Sequence, residues 1–216
     1  TKFIFFPCSV NDKKFKNKYQ NINLKKKYDL CFSGLLQNPY IKQKNKSLFS
    51  LRKKIQKELF VQFCGIPLYL NKTYNEKSIY WNAYQDNLIR NKALKIFKRY
   101  KKLNFNEYKN MFYLSKATLN TLSPFNLIGP RYFECMLLGS VNFCEKSVYY
   151  SKIFNEFEHY IPFQPDLSDF TEMLDYATSD SVEINKIIEA SYSLVVEKHT
   201  YDKRAETLLE NINKLD

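Results

Sequence analysis

The chain has 216 residues, 44% of them hydrophobic and 17% aromatic, and a formal net charge of +12. That length suits one domain of ordinary size or two small ones, and the apolar content excludes wholesale disorder. No apolar run approaches the roughly 20 residues of a membrane-spanning helix, and residues 1–7 do not read as a secretory leader.

The opening residue is Thr1 rather than Met, so the sequence reads as a piece of something longer. Residues 29–33 form an apolar run of strand length that stops at Gly34. Leu48, Leu51, Ile55 and Leu59 recur at spacings of three and four, which predicts a helix over 47–60 with Ser47 as its cap. A second strand is expected at 60–64, stopped by Gly65. Residues 67–84 are polar and aromatic and read as a loop or insertion, and 85–100 as a basic helix. A short helix capped by Asn106 is expected to run to Leu114, followed by a strand over 116–120.

After a loop over 124–130, residues 131–138 read as a buried helix. Pro130 opens it, where a missing N–H and a fixed φ cost nothing, and Gly139 stops it. Residues 140–143 form the next strand, and 160–163 a short edge strand. The last third reads as helices over 166–178, 181–197 and 201–214, capped by Asp166, Asp180 and Thr200. Strands alternating with helices predict an α/β fold with a mainly parallel sheet and right-handed crossovers.

Charge is uneven. Residues 1–100 hold 22 Lys and Arg against 5 Asp and Glu, whereas 101–216 hold 12 against 17. A basic front half fits an anionic partner, whether nucleic acid, a membrane surface or a phosphorylated small molecule, although Lys-rich composition alone also produces such an excess. The five cysteines are odd in number and form no C-x-x-C; Cys31, Cys64 and Cys135 lie inside apolar runs and read as small buried hydrophobes in a reducing compartment. With two histidines and no supporting ligand spacing, a metal site is not expected. There is no G-x-G-x-x-G, Walker A or G-x-S-x-G pattern. The chain has four glycines, of which Gly34 and Gly129 fall where an open α/β sheet binds ligands, beyond strand ends and at a helix start.

Residues 129–141, Gly-Pro-Arg-Tyr-Phe-Glu-Cys-Met-Leu-Leu-Gly-Ser-Val, resemble the R-x-x-E-(A/C)-(L/M)-x-x-G segment of glycosyltransferases of the GT-B fold, of the spore-maturation-like, group 1 type. Residues 197–204 resemble the H-T-Y-x-x-R signature before their final helix, through His199, Thr200, Tyr201 and Arg204. Residues 28–34 are similar to the strand that opens their C-terminal, nucleotide-sugar-binding domain, and 115–120 to the strand before the donor loop. The resemblance implies a Rossmann-like three-layer α/β/α domain, a single half of a GT-B fold. Residues 1–27 would then be the linker and crossover strand from a missing N-terminal domain, 28–200 the donor-binding domain and 201–216 the C-terminal helix.

The same resemblance implies residue roles. Glu134 would accept hydrogen bonds from the two vicinal ribose hydroxyls, since a carboxylate offers two acceptor oxygens. Arg131 would pair with the donor diphosphate, Gly129 would let the loop approach it, and Gly34 would do the same from the first strand. Asn126 stands where many relatives carry the first Glu of an E-x(7)-E pair that contacts the sugar. Arg52 is the choice for a second phosphate contact. His199 and Arg204 read as structural.

The implied activity is transfer of a sugar from a nucleotide diphosphate to a hydroxyl of a glycan or other acceptor, in polysaccharide biosynthesis. No cofactor or metal is required beyond that donor, because no D-x-D is present. The expected location is cytoplasmic, with peripheral contact to the cytoplasmic membrane face. Two other classes stand beside this reading. One is a nucleic-acid-binding module using the basic segments 13–57 and 90–102; the other is a non-catalytic, glycosyltransferase-like interaction domain, kept open by the departure at Asn126.

Overall fold

A computed structural model describes residues 8–15, 25–37, 46–59, 69–85, 103–123 and 126–214. The elements in chain order are α1 (Asp12–Phe15), β1 (Tyr28–Gln37), α2 (Lys46–Leu59), β2 (Tyr69–Tyr74), β3 (Lys77–Gln85), α3 (Phe105–Tyr113), β4 (Ser115–Asn120), α4 (Pro130–Leu137), β5 (Val141–Glu145), β6 (Ile161–Phe163), α5 (Phe170–Ala177), α6 (Val182–Lys198) and α7 (Tyr201–Asn213). They build one six-stranded sheet in the order β2-β3-β1-β4-β5-β6. Every neighbouring pair is parallel except β2–β3, which is antiparallel at one edge.

Strand alternation sorts the core into two layers. Leu30, Phe32, Ile79, Trp81, Ala83, Ala117, Leu119, Val141 and Phe143 pack on one face against Leu51, Ile55 and Leu59 of α2 and Phe170 and Leu174 of α5. Cys31, Tyr80 and Cys144 meet Phe112 of α3 and Tyr132, Phe133, Cys135 and Met136 of α4 on the other. α6 serves both, with Ile184 and Ile187 in the first layer and Val195 in the second. The expected three-layer α/β/α arrangement with a mainly parallel sheet is therefore present. Cys31, Cys135 and Cys144 are buried free thiols.

Several elements depart from the sequence reading. The segment 67–84, expected as a loop or insertion, holds the β2–β3 hairpin, which runs over 69–85. Its two-residue turn, Asn75–Glu76, has φ of 42° and 66°, the double left-handed geometry whose twist suits a hairpin. Ile79, Trp81 and Ala83 alternate inward with Ser78 and Asn82, a period of two hidden by the polar residues around it. The helix expected from Asn106 is capped by Asn104 instead. Glu107 N–H donates to Asn104 Oδ1 at 2.9 Å and Asn104 N–H to Glu107 Oε2 at 3.0 Å, so the N-x-x-E capping box decides between the two asparagines.

Asp166 caps no helix. It accepts from Ser168 N–H and Oγ–H at 3.0 and 2.8 Å, and Leu167 takes φ 70°, so the helix starts only at Phe170. Ser181, not Asp180, caps α6 by accepting from Ile184 N–H at 3.2 Å; Asp180 pairs with Lys116 at 3.0 Å. Thr200 caps α7 as expected, and Gly139 ends α4 at φ +66°, a conformation that disfavours any Cβ. The strand expected at 60–64 and the basic helix at 85–100 lie almost wholly outside the described residues.

Candidate nucleotide-sugar site

The chain leaves β1 toward β3 on one side and returns to β4 on the other. The strand order thus reverses between β1 and β4, and the crevice beyond their carboxyl ends is where open α/β sheets take ligands. Two guanidinium groups converge there. Arg131, in the first turn of α4, donates from Nε to Asn120 Oδ1 at 2.6 Å, at the end of β4. Its Nη1 donates to the Ser33 carbonyl on β1. Arg52, on α2, donates from Nε to Thr121 Oγ1 at 2.5 Å, just past β4. Both lie over the ring of the fully buried Phe32, Arg131 at 5.5 Å and Arg52 at 6.0 Å from its centroid.

The floor beneath them is a buried polar layer. Asn120 Nδ2 donates to Asn142 Oδ1 at 2.7 Å, so Asn120 is held from behind while it orients Arg131. Arg131 carries five N–H groups and two are engaged, leaving three without a hydrogen bond among the described residues. Gly34 explains itself in this frame: a Cβ there would lie 2.9 Å from Arg131 Nη1 and 3.4 Å from Phe32 Cζ. Its role is to admit the guanidinium of Arg131, which the sequence reading did not foresee.

Gly129 is the N-cap of α4, with ordinary φ −82° and no side-chain cap. A Cβ would meet nothing within 4 Å, so nothing among the described residues demands glycine. What glycine leaves is a helix start with no side-chain cap, where the Gly129 and Arg131 N–H groups carry no hydrogen bond among the described residues and, with the dipole, favour an anion. Asn126 sits in the turn before it at φ 58°, a left-handed conformation that Asn tolerates better than most residues. Its N–H donates to the Ser123 carbonyl at 2.9 Å.

Glu134 follows Arg131 by one helical turn. Its Oε2 accepts from the Tyr108 hydroxyl of α3 at 2.7 Å. Burial pushes its carboxyl above the ordinary carboxylate range, against the opposing pull of the Tyr108 hydroxyl and the Arg131 charge. One acceptor position on Oε2 is therefore already taken, a contact that the sequence reading did not include.

Two neighbours escaped the sequence reading. Tyr108 lies 26 residues from Glu134 on another helix, and no spacing links them. Glu145 ends β5 and is 3% exposed; it accepts from Leu122 N–H at 2.8 Å while its Oε2 has no partner. Burial pushes its carboxyl up to about 7, against the pull of that backbone bond and of Arg52. A lone acid closing the apolar run 141–144 was the available signal.

His199 stacks on Phe133 at 4.7 Å and meets Arg204 through Nδ1. Burial and the Arg204 charge hold it down at about 4, so it stays neutral and structural. No group of three His, Cys, Asp or Glu among the described residues is placed to hold a metal ion. No helix among them is long and apolar enough to cross a membrane.

Residues 68–210 match the family described as glycosyl transferase-like, and the chain belongs to that family. The match includes Asn126, Gly129, Arg131 and Glu134 but not Gly34 or Arg52. No curated protein matches the sequence. Among solved structures, the chain is similar to the N-terminal domain of trehalose-6-phosphate phosphatase from Candida albicans: TM-score 0.60, 11% identity, covering 97% of this chain and 49% of that one. It is also similar to sucrose-phosphate synthase from Thermosynechococcus elongatus: TM-score 0.56, 13% identity, covering 97% of this chain and 52% of that one. The chain thus spans about half the length of each. At these identities the likeness establishes the fold alone, a Rossmann-like α/β/α domain of the kind found in GT-B structures.

Proposed function

We propose that this chain is the donor-binding half of a glycosyltransferase, taking a nucleotide-diphosphate sugar for transfer to an acceptor hydroxyl. The observation that carries the reading is the pair of guanidiniums, Arg131 and Arg52, converging over Phe32 beside the bare start of α4. A diphosphate is the leaving group of such a transfer, and its growing negative charge is what fixed cations and backbone N–H groups stabilise. Glu134, on the same helix, would take the ribose. The acceptor and the base that deprotonates it would come from a second domain. The exposed Tyr201, Leu208, Leu209 and Ile212 of α7 offer that domain an apolar surface. On its own the chain would bind donor weakly and turn it over poorly.

The test is a calorimetric titration of the chain with UDP, GDP and CDP at about 150 mM salt, where loose phosphate attraction is screened. Arg131→Ala, Glu134→Ala and a short single-stranded oligonucleotide run beside it. One diphosphate should bind saturably and lose at least about tenfold in Arg131→Ala, the worth of one charge-assisted hydrogen bond. No diphosphate binding, or oligonucleotide binding that collapses with salt and ignores both variants, would move the function to the basic surface.

A further inference from the structure

Arg131 is anchored without an acid. Its Nε donates to Asn120 Oδ1 at 2.6 Å and its Nη1 to the Ser33 carbonyl, both uncharged acceptors. It makes no ion pair among the described residues. Glu134, one turn on, lies within reach of its charge but accepts from Tyr108. Burial holds the thiols of Cys31 and Cys135 protonated, so neither offsets the guanidinium. Arg131 therefore brings its whole charge to the crevice.

An aspartate at position 120 would fit the same space and cancel that charge. Asn120 is fully buried, and its Nδ2 donates to Asn142 Oδ1 at 2.7 Å. A guanidinium only donates, so the amide oxygen of Asn120 must face Arg131 and its nitrogen must face Asn142. Asn142 is fully buried too, and its own Nδ2 has no partner among the described residues. With a carboxylate at 120, one oxygen would take Arg131 Nε. The Asn142 amide could then turn over and give its idle N–H to the other. The layer would hold a matched ion pair and leave no charge for a ligand.

We infer that Asn120 determines specificity through its neutrality: by holding Arg131 with an uncharged oxygen, it keeps the guanidinium an anion receptor instead of half of an internal ion pair. Asn142 is the positioning residue that fixes Asn120 from behind. The inference rests on the nucleotide-donor reading and deepens it, because the diphosphate is then selected by an uncompensated charge and not by the aim of Arg131 alone.

The experiment measures Kd for the wild-type chain, Asn120→Asp and Asn120→Ala at about 150 mM salt, with urea midpoints alongside. The probes are UDP, GDP, CDP and inorganic pyrophosphate. Two roles for Asn120 predict opposite orders. An asparagine that only aims Arg131 would be replaced well by aspartate, and only alanine would lose affinity. A neutral anchor predicts the reverse. Asn120→Asp should bind at least about tenfold more weakly than the wild type, with an undiminished urea midpoint. It should also bind more weakly than Asn120→Ala, which loses the anchor but keeps the charge. Wild-type affinity in Asn120→Asp overturns the inference. A second readout leaves the buried layer untouched: Arg131→Gln should lose affinity and flatten the salt dependence of binding by about one charge. Unchanged affinity and salt dependence there mean that Arg131 is already neutralised, which overturns the inference even if Asn120→Asp fails to fold. Pyrophosphate binding in the predicted order, without binding of any nucleotide, sustains the inference and refutes the donor reading. No binding of any of the four probes by the wild type overturns both.

Discussion

Substituting Gly34 by Ala tests whether glycine is present to seat Arg131. The new methyl carbon would lie 2.9 Å from Arg131 Nη1, closer than real contacts allow, while Phe32 Cζ at 3.4 Å is only tight. The backbone at Gly34 is part of the β1 ladder, so alanine is permitted there. The guanidinium is the far end of a flexible side chain and gives way first. It loses its bond to the Ser33 carbonyl, worth about 1.5 kcal/mol for a charged donor that water partly re-solvates. Replacing Gly by Ala returns about 0.4–1 kcal/mol by narrowing the unfolded ensemble. The net loss of stability is thus about 1 kcal/mol or less, a small shift of the urea midpoint at unchanged slope. Ligand binding should suffer more, because the displaced Arg131 no longer points where Asn120 and Ser33 aim it. Calorimetry with the bound nucleoside diphosphate should show at least about a tenfold weaker Kd, comparable to Arg131→Ala. Wild-type affinity in Gly34→Ala beside a crippled Arg131→Ala would refute the seating argument. So would a stability loss of several kcal/mol, which would mean that the backbone, not the arginine, had moved.

Other perturbations probe the framework. Glu145 has its carboxyl raised to about 7, so the folded state holds a proton that the unfolded chain releases near pH 4.5; stability should fall as pH rises from about 4.5 to 7. Glu145→Gln keeps an acceptor for Leu122 N–H and should flatten that part of the stability–pH curve, as read by urea melts at pH 5, 6, 7 and 8. Lys26 donates to the Tyr113 and Gly139 carbonyls at 2.9 and 2.8 Å, tying down the ends of α3 and α4. Lys26→Met should cost about 1–3 kcal/mol at pH 7 in a thermal or urea melt by orphaning both carbonyls. Burial lowers the Lys26 amine to about 8, so the unfolded chain binds more protons above that pH; this residue adds stability as pH rises from about 8 to 10.5, a rise absent in Lys26→Met.

Much of the site was legible along the chain because its signals are local. Pro130 and Gly139 bracket a helix by fixed backbone chemistry, so the position of Arg131 in its first turn followed without tertiary information. Periodicity placed Arg52 on α2, whereas Gly34, read as the stop of the first strand, lies inside β1, which runs on to Gln37. Register and pairing are different in kind. That Arg52 and Arg131 share one aromatic ring depends on β1 and β4 lying side by side, 87 residues apart at the Cys31–Thr118 pair. The hairpin at 69–85 escaped because its turn is Asn-Glu rather than Asn-Gly, and its inward residues show their alternation only once a sheet face exists to receive them.

What the residues fixed by themselves were the helix stops and the α/β class with its mainly parallel sheet, consequences of backbone preference and hydrophobic period. The tertiary structure alone decided how the side chains at the crevice are used. It set Gly34 against the Arg131 guanidinium, bonded one oxygen of Glu134 to Tyr108, and buried Glu145 with an oxygen unmatched. Each of these is a contact between segments distant in sequence, and their distances follow from packing two helical layers on one sheet, which no local pattern encodes.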